Sequence, residues 1–430
     1  MGSNGMRERA NPTKNQEEDK LDIGAGATPR PPLRSSPSNH PAGKVRHGPL
    51  TQIIRAVASV GWFISSCAMM NMTQMLGVPF YFWDKSYYYA WMSLTKQSFA
   101  IVLIMVTQTF SPTLIRVSWD KSMRGQLSLA KDGSGRLETR FPERMVLMAN
   151  HQIYTDWIYL WWMAYTSRMH GAIYIILKES LKYIPFIGWG MMFYGFIFMA
   201  RKWETDKPRL QHRLQQLNKK HAVKAGGSGG IVNTNAAGEL DPMWLIIFPE
   251  GTNLSANTRS KSVAWSKKSG IADMKHQLLP RATGMFFCLQ ELKDTVEWVY
   301  DCTVAYEGTP KYGYAAEYFT LRSTFLQGRP PKSVNFHWRR FAVKDIPLDD
   351  QKDFEKWIEK RWREKDELLE AYFTNGRFPA DNESEEDAYI ETQVKLRSWA
   401  ELLQPYVVFI TACLIINIVR RLWQQLISRS

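Results

Sequence analysis

Two apolar runs, residues 57–75 (VASVGWFISSCAMMNMTQM) and 98–115 (SFAIVLIMVTQTFSPTLI), dominate what this chain can fold into. Each is close to the roughly 20 residues that a helix needs to cross a bilayer. Asn71, Thr73 and Gln74 interrupt the first run, and Gln108 and Pro112 the second. Between them lie Phe80, Tyr81, Phe82 and Trp83, then Tyr87, Tyr88 and Tyr89, the aromatic content of a lipid–water interface. Lys44, Arg46 and Arg55 precede the pair, and Arg116, Lys121 and Arg124 follow it. By the positive-inside bias both flanks are cytoplasmic. The reading is a membrane hairpin over 49–116 that holds the following domain against the cytoplasmic leaflet. A third apolar run, 402–419, followed by Arg420 and Arg421, marks a C-terminal membrane segment over 402–430.

The formal charge of +14 calls for an anionic partner. Seventeen tryptophans and eighteen tyrosines favour the bilayer surface as that partner. The charge is spread and no recognition motif accompanies it, so nucleic acid is not expected. Residues 1–48 are polar and rich in Pro, Ser and Asn, which predicts a disordered tail. No apolar run follows Met1, so no cleavable leader is expected. The four cysteines form no CxxC pair, against both a disulfide framework and a zinc ribbon.

Over 117–345 the pattern changes. Short β-prone runs at 145–148 (MVLM), 172–177 (AIYIIL), 244–248 (WLIIF) and 301–306 (DCTVAY) alternate with helix-like stretches. This predicts an α/β domain with a mainly parallel sheet flanked by helices. Residues 221–241, rich in Gly, Asn and Ala, read as a flexible insertion. Residues 346–378 read as a charged helix whose stripe of Phe354, Ile358, Trp362, Leu368 and Leu369 packs on that domain. Residues 379–401, with DNESEED at 381–387, read as an acidic linker.

Three motifs carry chemistry. The MVLM strand runs into Ala149, Asn150 and His151, with Asp156 five residues after the histidine. Five residues turn a helix about 140° past a full turn, so the two cannot share a helical face. His151 therefore belongs on the strand-to-helix loop and Asp156 in the first helical turn, from which its carboxylate reaches one imidazole nitrogen. Such a pair makes a general base, the carboxylate setting the tautomer and steadying the imidazolium. At the end of WLIIF stand Phe248, Pro249, Glu250, Gly251 and Thr252. Gly251 permits close backbone approach by a ligand; Thr252 offers a hydroxyl and Glu250 an acceptor. The third motif, GFIFMAR at 195–201, ends a run interrupted by Pro185, Gly188 and Gly190. It reads as an apolar surface or channel near the lipid with Arg201 and Lys202 at its polar end, arginine being the better phosphate clamp. No third ligand has metal spacing, so no metal is expected.

Asn150-His151 with Asp156, then GFIFMAR, FPEGT and Leu279-Pro280-Arg281, in this order, resemble the glycerophospholipid acyltransferases of the 1-acylglycerol-3-phosphate acyltransferase type. The likeness runs from about 116 to 373. LLPRATG at 278–284, YDCTVAYEG at 300–308 and the helix with KRWREKDELL look most like the lysocardiolipin and lysophosphatidylinositol acyltransferase branch. The resemblance implies acyl-CoA as co-substrate, with no bound cofactor, and a lysophospholipid acceptor. His151 is then the base and Asp156 its orienter; Asn150, Arg201, Glu250, Gly251, Thr252, Pro280 and Arg281 are substrate-binding. Asn253 stands where many relatives acting on lysophosphatidic acid have Arg, which removes one phosphate donor; Arg259, Lys261 or Arg281 are the candidates to replace it. Lysophosphatidic acid is the alternative acceptor. A CoA-independent transacylase, a serine lipase using Ser228 in the GGSGG stretch at 226–230, and a non-catalytic membrane scaffold are the competing classes. The endoplasmic reticulum membrane is the expected location, with the mitochondrial outer membrane second.

Overall fold

The computed structural model describes residues 40–218, 240–383 and 388–427. Helix α1 (Pro49–Leu76), the short aromatic α2 (Val78–Trp83) and α3 (Lys85–Phe110) form the N-terminal hairpin. Asp84 caps α3 by accepting the Ser86 amide at 2.7 Å. The turn closes at Gly77, where the Trp91 indole leaves no room for a Cβ. Both long helices are long and apolar enough to cross a membrane. They differ in their surroundings: little of α1 is buried, whereas α3 is largely buried. Phe99 of α3 stacks parallel to Trp157 and meets Trp161 edge-on at 5.2 Å, so α3 is also a core layer of the α/β domain. The second apolar run does not stay helical to 115. Pro112 cannot donate to a continuing helix, α3 stops at Phe110, and strand β1 starts at Leu114.

Strands β1 (Leu114–Trp119), β2 (Leu127–Leu129), β3 (Leu137–Thr139), β4 (Arg144–Ala149), β5 (Ile173–Lys178), β6 (Ile197–Met199), β7 (Met243–Ile247), β8 (Trp298–Tyr306), β9 (Ser333–Ala342) and β10 (Tyr389–Gln393) follow. Apart from the β2–β3 ribbon, they make one sheet in the order β10-β1-β9-β8-β4-β7-β5-β6. Every neighbouring pair is parallel except β10/β1 and β9/β8. A parallel strand covered on both faces needs apolar residues at every position, and β4 and β7 are buried throughout. Met145, Leu147, Trp244 and Ile246 point to one face, with α3 and α4 (Asp156–Thr166). Val146, Met148, Met243 and Leu245 point to the other.

That second face is covered by α6 (Trp203–Leu217), α8 (Ala282–Leu292) and α10 (Gln351–Asn375), through Leu210, Leu214, Leu289, Phe354, Ile358 and Trp362. Short α5 (Ile187–Phe193), α7 (Ala256–Ser269) and the single turn α9 (Ala315–Tyr318) lie in the connections. Helix α11 (Gln404–Ile427) continues from a 3-10 turn at Trp399–Leu403; the two together are long and apolar enough to cross a membrane and mostly exposed. Its N-terminal end meets the hairpin, with Tyr406 Oη 3.1 Å from Ser66 Oγ.

Two boundary expectations are corrected. Residues 40–48 are packed rather than a free tail: His40 Nε2 lies 2.8 Å from Tyr318 O, and Arg46 N donates to Gln327 O. The acidic linker contains β10, an edge strand antiparallel to β1, because Ile390 and Thr392 alternate inward with exposed Glu391. The GFIFMAR run holds β6, with Ile197 in the core, and the exposed apolar surface of this run lies before it, at Ile184, Trp189 and Met192. Ser228 and almost all of the 221–241 insertion lie outside the described residues.

Candidate active site

The functional side chains gather where parallel strands end. His151 follows β4, Phe248–Gly251 follow β7, Arg201 follows β6, and Tyr306 closes β8. Ligands of open parallel sheets bind outside these carboxyl ends.

The loop between β4 and α4 is organised by one carboxylate. Asp156, the first residue of α4 and fully buried, accepts at Oδ2 from the amides of Gln152 (2.6 Å) and Ile153 (3.0 Å) and from His151 Nδ1 (2.8 Å). Its other oxygen accepts from Tyr306 Oη. An acid at this position also suits the helix dipole. With Nδ1 bound to the carboxylate, Nε2 is the nitrogen left to act as acceptor. It has no hydrogen-bond partner among the described residues. The imidazole lies on the Phe248 ring, centroids 4.4 Å apart, and its side chain is one-fifth exposed. A buried, fully bonded acid behind a partly exposed imidazole has the geometry of a positioned general base.

Both carboxylate oxygens of Glu250 are taken by backbone amides. Its Oε1 accepts from His151 N (2.9 Å) and its Oε2 from Leu278 N (3.0 Å), and the residue is buried. Burial pushes its carboxyl up to about 8, against the opposite pull of the two amides. Its expected role in substrate binding is therefore corrected: it staples the loops around His151 and Leu278 together. Asn150 is corrected likewise. Its amide bridges Val304 of β8, donating to the carbonyl at 3.0 Å and accepting the N–H at 2.7 Å, with no surface exposed.

The cationic wall is smaller than the sequence suggests. Gly251 has φ +71°, a conformation that favours glycine. Arg201, itself at φ +66°, donates Nη2 to Gly251 O at 3.1 Å. From the other side Arg281 is held by its own amide on Pro249 O at 2.8 Å, and its side chain runs within about 3.5 Å of where a Gly251 Cβ would lie. Both arginines are exposed, while Thr252 and Pro280 are half-buried. Arg259 is excluded as a phosphate donor: its guanidinium bonds Asp273 and the carbonyls of Met274, Lys275 and Gln277. Lys261 is exposed on α7.

Sequence reasoning missed Tyr306, Phe248 as the ring beneath His151, and the Leu278 amide. No local signal marks them. Tyr306 is 150 residues from Asp156, and a tyrosine at the end of a buried strand reads as core. Among the described residues no group of acidic, His or Cys side chains is arranged to hold a metal.

The family model described as Acyltransferase matches residues 134–307, and the Acyltransferase C-terminus model matches 324–401. The 2-acyl-1-lysophosphatidylinositol acyltransferase of Saccharomyces cerevisiae is 40% identical over 306 residues, 67% of this chain and 77% of the relative. An uncharacterized acyltransferase of Schizosaccharomyces pombe is 34% identical over 82% of this chain and 92% of its own length. Lysocardiolipin acyltransferase 1 of Gallus gallus is 32% identical over 55% of each chain.

Proposed function

The chain belongs to the acyltransferase family, in the branch that holds lysophosphatidylinositol and lysocardiolipin acyltransferases, and from that premise we propose that it transfers an acyl group from acyl-CoA to a hydroxyl of a lysophospholipid. The observation that carries the reading is the His151–Asp156 pair at 2.8 Å with its second imidazole nitrogen unpartnered, beside a glycine turn flanked by two arginines. Nε2 of His151 takes the proton of the acceptor hydroxyl as its oxygen attacks the thioester carbonyl. The tetrahedral intermediate collapses with cleavage of the C–S bond. The imidazolium then returns the proton to the CoA thiolate. Asp156 holds Nδ1 and steadies the imidazolium throughout. Arg201 and Arg281 hold the acceptor phosphate over Gly251, with Thr252 and Pro280 bordering it.

Lysophosphatidylinositol is the favoured acceptor, with lysocardiolipin beside it. A phosphodiester carries one negative charge and needs fewer cations than a phosphomonoester, so Arg201 and Arg281 suffice for it. Asn253 supplies no third cation, and Arg259 is bound internally. The apolar helices and the insoluble acceptor place the reaction at a membrane, and we assign it to the endoplasmic reticulum.

Purified protein in mixed micelles, given radiolabelled acyl-CoA with lysophosphatidylinositol, lysocardiolipin or lysophosphatidic acid, tests the proposal. The expected result is highest turnover with the inositol or cardiolipin acceptor and none in His151→Ala. Wild-type rates in that variant would falsify the base assignment. Transfer from phospholipid with acyl-CoA omitted would replace the donor, and reaction of Ser228 with a fluorophosphonate would point to a lipase instead.

A further inference from the structure

The hairpin is fastened to the α/β domain along nearly the whole of α3. Ser93 Oγ donates to Gly171 O, Lys96 Nζ to Ile173 O at 2.9 Å, Phe99 lies on α4, and Gln108 Oε1 accepts from Leu396 N. The domain therefore shares whatever depth the hairpin takes in a bilayer. Domain surface level with the hairpin has to be compatible with lipid, since a buried charge or bare backbone group there is costly.

Residues 183–192 (YIPFIGWGMM), between β5 and β6, supply such a surface. Tyr183, Ile184, Trp189 and Met192 are all exposed, Tyr183 by 71%. The segment sits on α1. A Cβ on Gly190 would lie 3.2 Å from Asn71 Nδ2, and Gln74 Nε2 points to Gly190 O at 3.5 Å. On α1 the residues next to these two, Met72 and Met75, are more than half exposed. An apolar exposed face thus continues from a helix suited to span the membrane onto the catalytic domain.

The shape of the segment is set by its backbone. Phe186 has φ +62°, Ile187 N donates to Pro185 O, and Gly188 lies under the Lys182 carbonyl, where a Cβ would be 2.3 Å away. At its root Glu179 is neutralised by Lys182 (2.7 Å) and Arg209 (3.1 Å), so no bare carboxylate faces the surface.

We propose that residues 183–192 are a non-spanning bilayer contact of the α/β domain, taking a lipid surface and continuing the lipid-facing side of α1. Rigid, partly exposed aromatic and methionine side chains without charge suit the headgroup–acyl boundary. The assignment is independent of the reaction proposed above.

Spin labels on single cysteines test it, in full-length protein with its native cysteines replaced, reconstituted in phosphatidylcholine–phosphatidylinositol vesicles. Labels go at 183, 189 and 192, with Leu414 of α11 as the lipid control and Lys360, on the charged outer face of α10, as the water control. At the three test positions oxygen should relax the label more than a soluble nickel chelate does, as at 414 and in reverse of 360. Chelate access matching position 360 overturns the proposal. Dipolar broadening between labels on separate copies would give the face to self-association and overturns it equally.

Discussion

Tyr306, at the end of β8, donates its phenol hydrogen to the Asp156 oxygen that faces away from the two loop amides, so the base has a third member behind it. Burial, with the Asp156 charge added, holds the phenol proton firmly in place. This bond fixes the plane of the carboxylate, whose other oxygen holds His151 Nδ1 and the two loop amides.

Tyr306→Phe is therefore expected to leave one oxygen of Asp156 without its bond and the carboxylate free to turn away from His151 Nδ1. The rate at neutral pH should fall by about tenfold, the order of one lost hydrogen bond to a buried charge, and the loss should fall on kcat rather than on the acceptor KM. A tyrosine that only fills space would lower the yield of folded protein and leave kcat per folded enzyme unchanged.

Glu250 gives a stability prediction with a definite sign. Its folded value, about 8, lies above the ordinary 4.5, so the unfolded chain loses this proton first. Between those two values folding stability falls as pH rises. Melting temperatures in detergent, recorded from pH 5 to 8.5, should show wild type losing ground to Glu250→Gln as pH increases. A constant difference would refute the buried-carboxyl account. The same variant should lose activity, since its NH₂ group opposes one of the two amides that Glu250 now joins.

Arg201 and Arg281 should act on acceptor binding rather than on the chemical step. Alanine at either position is expected to raise the acceptor KM by about tenfold or more, as loss of a charge-assisted bond implies, with a smaller change in kcat. Steady-state kinetics with lysophosphatidylinositol reads the split. Loss confined to kcat would move both arginines away from the acceptor phosphate.

Lys365 is expected to matter to folding. It lies on α10 with no exposed surface, its Nζ 2.5 Å from Asp301 Oδ1 and 2.8 Å from Cys302 O. Lys365→Met leaves Asp301 with Arg339 alone (2.7 Å) and should cost about 3 kcal/mol, as one broken buried pair does. Thermal unfolding measures it, and the double variant with Asp301→Leu should recover part of the loss.

The sequence by itself determined the elements whose signal is local. Strands buried on both faces, such as β4 and β7, read directly as continuous apolar runs, and a five-residue His–Asp spacing can close only across a strand-to-helix loop. The charged helix showed its stripe because 3.6-residue periodicity survives in any window. Tertiary structure decided what depends on partners far along the chain. Glu250 and Asn150 read as ligand groups until the fold turned them onto backbone groups of other segments, the His151 and Leu278 amides for Glu250 and the N–H and carbonyl of Val304 in β8 for Asn150. Arg259 read as a free cation until a neighbouring loop wrapped it. Tyr306 joined the base, β10 joined the sheet and α3 joined the core through contacts between segments distant in sequence. Burial and hydrogen-bond saturation arise from such contacts, and no window of sequence contains them.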